Sequence, residues 1–83
     1  EQYSLAFCPH FFGNGIGMAA TLQIMQACQA TLFEYADMHC PLRDDLFTGL
    51  AAVENGQIAI PHGSGLGVSL RTDMIEQYRF DPY

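Results

Sequence analysis

Apolar positions fall into short runs divided by glycine, proline and polar clusters, and their spacing changes along the chain. The first run, YSLAF at residues 3–7, is apolar on both faces and closes on Cys8-Pro9. That is the pattern of a short strand buried on both sides in a parallel sheet. After three glycines in GNGIG, residues 18–30 (MAATLQIMQACQA) are rich in helix formers, and Ala19, Leu22, Met25 and Cys28 are placed to share a face. The run TLFEYA at 31–36 follows with almost no loop and mixes β-branched and aromatic residues, which predicts a second strand. Strand, helix and strand make a βαβ unit whose crossover is right-handed, so the fold class is α/β.

The pattern changes beyond Pro41. LAAVE and QIAIP flank Asn55-Gly56, the dipeptide that best accepts two positive φ values and closes a two-residue hairpin. A glycine-rich connection, PHGSGLGVSL, leads to a last short helix, DMIEQYRF, with Thr72 or Asp73 as its cap. The second glycine run, GSGLG, precedes no helix directly and reads as structural. The boundary between the two parts falls near residues 42–45, giving segments 1–42 and 43–83.

Composition alters this picture in one respect. Of 83 residues, 49% are hydrophobic and 14% charged, against roughly 25% charged in ordinary soluble domains. Too few polar residues remain to cover so small a body, whose own core supplies little net stability. With Glu1 in first place and an apolar run almost at once, the chain reads as the tail of a larger one whose remainder covers that surface. The net charge of −6, from nine acidic residues against three arginines and no lysine, argues against nucleic acid or an anionic membrane as partner. No apolar run approaches the ~20 residues of a membrane span. Cys8, Cys28 and Cys40 are odd in number and lack the spacing of a disulfide framework, so they read as reduced thiols of a cytoplasmic protein, in the core or behind a site.

Two residues carry candidate chemistry. In a parallel βα array the strand ends and the loops after them converge on one opening. His10 follows the first strand, and its imidazole is a natural proton carrier there. Glu34 lies in the second strand, where burial of its carboxylate demands a partner. On position alone, a plain loop histidine and a solvated glutamate are comparable readings. GNGIG is not the dinucleotide fingerprint. Its residues Asn14 and Gly15, in the loop just before the helix, are placed to meet a substrate carboxylate beside close helix-to-strand packing. Cys8, His10, His39, Cys40 and His62 are zinc-ligand types, but no paired motif organises them.

Three separated stretches, FCPHFFGNGIGMAATLQIMQA, LFEYADMHCPLRDDL and VENGQIAIPHGSGLGVSL, resemble in order and spacing the end of the mandelate racemase and muconate lactonizing enzyme family of the enolase superfamily. The resemblance covers nearly the whole chain. Cys8 stands where serine is commoner, and His62 where an acidic residue is frequent. The family implies a modified (β/α)8 TIM-like barrel with an α+β capping domain. Residues 1–42 are then the last βαβ portion of the barrel, and 43–83 the hairpin and short helix returning to the cap. It implies Mg2+-assisted abstraction of the proton next to a carboxylate, with His10 as the catalytic base or acid and Glu34 as the acid bonded to the carboxylate oxygen. The magnesium ligands, the aspartate that orients the histidine, and any lysine acid or base would lie on earlier barrel strands; none is in these residues, so the 83 residues alone are expected to be inactive. The partners implied are a small carboxylate or acid-sugar substrate, the remainder of the barrel and cap, and other copies in a homo-oligomer. Histidine without a local lysine favours a racemase or acid-sugar dehydratase over a cycloisomerase. An inactive or purely binding homologue of the same fold is the competing reading.

Overall fold

A computed structural model describes residues 5–80 of the chain. In order they form helix α1 (Gly15–Ala27), the single turn α2 (Pro41–Asp44), strands β1 (Phe47–Thr48) and β2 (Ser69–Leu70), and helix α3 (Thr72–Tyr78). Helices are thus mixed with short strand pairing, parallel at one place and antiparallel at others.

Helix α1 starts earlier than its apolar face predicts because Asn14 caps it. The Asn14 backbone is extended and its Oδ1 accepts from the Gly17 amide at 3.0 Å, satisfying a donor that helix geometry leaves orphaned. The helix also ends earlier, at a left-handed Gln29 with φ of 57°. The Gln29 amide donates to the Gln26 carbonyl at 3.2 Å and the Ala30 amide to Met25 at 2.8 Å. This paired closure normally takes glycine at the left-handed position, so Gln29 hides the stop from a reading by composition. Met18, Leu22 and Met25 form the buried centre, with Phe11, Phe33, Tyr35, Leu50, Ile58 and Ile60 packed against it.

The two strands expected at residues 3–7 and 31–36 are reduced to one parallel bridge, His10↔Glu34. Residues 3 and 4 lie outside the described residues, and residues 5–7 enter no ladder among them. Leu5, Phe7 and Leu32 are exposed, so a two-stranded parallel pair here gains too little apolar burial to hold a longer ladder. The chain order strand-end, helix, strand-end is nonetheless the expected one.

Asn55-Gly56 closes its hairpin as predicted. Glu54 and Gln57 exchange amide-to-carbonyl bonds of 2.8 and 2.9 Å, with φ of 53° at Asn55 and 71° at Gly56. These positive values match the right-handed twist of the flanking chain. Gly56→Val should destabilise the full chain by about 1–2 kcal/mol, because a β-branched residue resists that backbone. Nothing lies within 4 Å of the added Cβ, so the loss in chemical denaturation reports backbone conformation alone.

The antiparallel pair β1–β2, in register Phe47↔Leu70 and Thr48↔Ser69, is not visible in the apolar pattern. GSGLG makes it: Gly63, Gly65 and Gly67 all take positive φ and fold the chain back onto residues 46–48. The Arg71 amide extends the pairing to the Leu46 carbonyl at 2.7 Å. Arg71, not Thr72 or Asp73, occupies the cap position of α3, and no side chain caps that helix. Asp73 instead pairs with the Arg71 guanidinium at 3.1 Å.

Candidate active site

Pro9 and His10 end the first run, and Glu34 sits on the segment alongside. The Glu34 amide donates to the Pro9 carbonyl at 2.9 Å, and His10 Nδ1 lies 2.8 Å from the Glu34 carbonyl oxygen. A carbonyl oxygen only accepts, so Nδ1 carries the proton. In the neutral ring Nε2 then keeps its lone pair. The two residues singled out from the sequence therefore meet, and the backbone of one sets the tautomer of the other.

Their side chains are less sheltered than the strand pattern predicts. His10 is 48% exposed and Glu34 71%, with 4.0 Å between Nδ1 and Glu34 Oε1. The expectation of a buried carboxylate fails because one bridge, in place of a full ladder, leaves this edge open. An ion pair so exposed contributes little by itself.

Asn14 and Gly15 lie at the start of α1. The Asn14 oxygen is occupied by the cap, while its side-chain nitrogen has no partner among the described residues. Gly15 is buried under the Phe47 ring, where a Cβ would stand 2.4 Å from Phe47 Cδ2. Gly13 and Gly17 lie against the Phe11 ring, at 2.6 and 2.0 Å for their absent Cβ atoms. The glycines of GNGIG thus admit two aromatic rings against the helix start, as close packing requires.

Sequence reasoning missed Arg43. Its side chain is the one charged group buried among the described residues, with 6% exposure. Nε and Nη2 hold Asp44 at 2.7 and 3.0 Å, Nη1 donates to the Ala36 carbonyl at 2.9 Å, and Nη2 to the Met38 carbonyl at 3.1 Å. The guanidinium also stacks over the Tyr35 ring, 4.5 Å from its centroid. Planar charge, forked donors and an aromatic face suit arginine alone. Asp44 accepts from the Cys40 amide at 2.9 Å as well, and His39 reaches Asp45 at 2.9 Å and Asp44 at 3.4 Å. The hydrogen bond from Arg43 holds the Asp44 carboxyl below the usual carboxylate range, aided by the Cys40 amide and the Arg43 and His39 charges and opposed by burial. A lowered native pKa makes the Asp44 contribution complete above the unfolded pKa, and it is lost as pH falls through the native one. The available signal was PLRDD itself, a basic residue beside two acids where a proline opens a turn.

No group of three or more His, Cys, Asp or Glu among the described residues is arranged to hold a metal ion. Cys8 and Cys28 are exposed and not core thiols, whereas Cys40 is half-buried with Sγ 3.5 Å from the Met38 carbonyl. No helix among the described residues is long and apolar enough to cross a membrane.

A family model described as enolase C-terminal domain-like matches residues 1–74. The D-galactarolactone cycloisomerase of Agrobacterium fabrum is 29% identical over 96% of this chain and 24% of its own length. The arabinonate dehydratase of Saccharolobus solfataricus is 28% identical over 86% of this chain and 19% of its own length. The chain therefore spans about a quarter or less of these curated relatives. No solved structure matches it.

Proposed function

The chain belongs to the enolase C-terminal domain-like family, and from that premise we propose that it supplies His10 and Glu34 as the proton-transfer pair of an enzyme acting on the α-carbon of a small acid-sugar carboxylate. The meeting of His10 and Glu34, bonded through the Glu34 carbonyl at 2.8 Å, carries this reading. The names of the two relatives, one acting on a sugar lactone and one on a sugar acid, support the substrate class, and a racemase, epimerase or dehydratase is the reaction type.

In this mechanism the Glu34 carbonyl fixes the Nδ1 proton, and Nε2 takes the α-proton. Such a proton is too weakly acidic for an imidazole acting alone, so donors must meet the charge that develops on the carboxylate oxygens. Glu34, as the acid, donates to one of those oxygens. The exposed Asn14 side-chain nitrogen receives the substrate carboxylate at the helix start, where orphan donors favour an anion, while Gly15, buried under the Phe47 ring, supports that end of the helix from behind. Mg2+, the cofactor that the family implies, finds no fitting ligand set among the described residues.

The exposed Leu5, Phe7, Phe12 and Leu32 are the surface that the remainder of a (β/α)8 barrel and its cap would cover. Segment 1–42 then completes the barrel and 43–83 returns to the cap. The test is solvent exchange: the protein with its barrel and cap completed, in deuterium oxide with arabinonate and other acid sugars, incorporates deuterium at the α-carbon, whereas residues 1–83 alone do not. Absence of exchange and of turnover across the panel would favour the inactive binding homologue.

A further inference from the structure

The start of α1 is held by two aromatic rings from different parts of the chain. Phe11 lies against Gly13 and Gly17, and Phe47 against Gly15. Phe11 is local, but Phe47 comes from β1, where it is buried and pairs with Leu70 beyond the glycine-rich return. Glycine loses the most conformational freedom on folding, and residues 13, 15 and 17 have no side chains with which to fix the turn. Its order therefore rests on the rings packed against it. Asn14 stands among these contacts. Its Oδ1 accepts from the Gly17 amide at 3.0 Å, and its carbonyl accepts at 3.1 Å from the amide of Met18, a core residue. The cap engages the oxygen of the side-chain amide, so the direction of the remaining nitrogen is fixed by whatever keeps the first turn in place.

We propose that Phe47 is a positioning residue that couples the return segment to the carboxylate-binding end of the site. Pairing of β1 with β2 seats the ring on Gly15, and the seated ring keeps Asn14 in the cap that presents its side-chain nitrogen. The coupling rests on the role proposed for Asn14, whereas the support of the cap by Phe47 is a property of the protein without substrate. Coupling of this kind is reciprocal. A sugar acid bound at Asn14 therefore also stabilises the pairing of Phe47 with Leu70 and of the Arg71 amide with the Leu46 carbonyl.

The test is amide hydrogen exchange with steady-state kinetics on arabinonate, in the protein with its barrel and cap completed. In Phe47→Ala, exchange at the Gly17 amide should rise severalfold relative to the Cys28 amide at the far end of α1, a contrast that general destabilisation would not produce. KM for arabinonate should rise roughly fivefold, the weight of one ordinary hydrogen bond, with kcat changed less. In the parent, saturating arabinonate should slow exchange at the Arg71 amide, and in Phe47→Ala it should not. Phe47→Leu keeps apolar bulk without the ring, so its effects should be smaller; it serves as the test if Phe47→Ala does not fold. A folded variant with the parental Gly17 exchange overturns the proposal. So does arabinonate that leaves Arg71 exchange in the parent unchanged. The outcome is separable from the fate of the proposed proton transfer: if arabinonate protects Arg71 through Phe47 while His10→Asn exchanges like the parent, the chemistry is wrong and the coupling stands. If His10→Asn is inactive but Arg71 ignores arabinonate, the coupling alone is wrong.

Discussion

In the protein with its barrel and cap completed, His10→Asn lowers deuterium incorporation at the α-carbon of an acid sugar by roughly 10²-fold to 10⁴-fold, the usual weight of a positioned general base. Asparagine can still donate from its side-chain nitrogen to the Glu34 carbonyl, which accepts from Nδ1 at 2.8 Å in the parent, so the local fold and substrate affinity should be little changed. What it lacks is the second nitrogen with a lone pair. The loss therefore falls on kcat more than on KM, the signature of an interaction made in the transition state. Glu34→Gln should slow exchange less and by another route, since its amide still donates but cannot transfer a proton to the developing oxyanion. The two variants separate by stereochemistry: His10→Asn should lose exchange on the one face that the imidazole serves, whereas Glu34→Gln should slow it without choosing a face. An asparagine variant that exchanges and turns over like the parent would reduce His10 to a loop histidine.

The parts of the site legible in the sequence were those written in residue type and local position. A histidine just past a proline-closed apolar run and a glutamate within the next run could be singled out, though a loop histidine and a solvated glutamate were comparable readings, and one bridge brings them together. Their exposure was not legible, because alternation within a run shows what a complete sheet would bury and not how much of that sheet one chain assembles. Helix α1 was read from its apolar face, yet both ends moved: Asn14 and Gln29 act through side-chain capping and a left-handed φ, neither of which contributes to hydrophobic periodicity. Asn55-Gly56 was legible because its turn depends on two adjacent residues. Arg43 escaped because its partners are mainly backbone carbonyls of residues 36 and 38 and an aromatic face. No spacing of charged residues encodes those contacts. The pair β1–β2 escaped for a related reason, since a two-residue ladder has no period to read and depends on glycines that resemble a plain linker.

The glycine that faces this return carries the largest expected stability effect. Gly49 has φ of +104° and lies against the returning chain, where an added Cβ would stand 2.3 Å from the Gly67 carbonyl oxygen and 3.0 Å from Val68 Cα. Both neighbours are backbone, so no rotamer change can relieve the contact. Nor can the segments part freely, because Phe47↔Leu70 and Thr48↔Ser69 pair on one side of it and the Arg71 amide holds the Leu46 carbonyl at 2.7 Å. Shifting residues 47–49 would also lift the Phe47 ring from Gly15 and disturb the start of α1. Gly49→Ala thus combines a backbone conformation that L-residues rarely adopt with overpacking against fixed atoms, and should cost about 3 kcal/mol or more in chemical denaturation of the full chain. Gly65→Ala is the control: its φ of +61° lies in the left-handed region and nothing is within 4 Å of the new Cβ, so backbone strain alone should cost about 1 kcal/mol. Equal losses in the two variants would mean that the close approach of Gly49 to Gly67 is absent in solution. A larger loss at Gly49, accompanied by faster amide exchange at Arg71 and in the first turn of α1, would mean that this contact ties the glycine-rich return, through Phe47, to the start of α1.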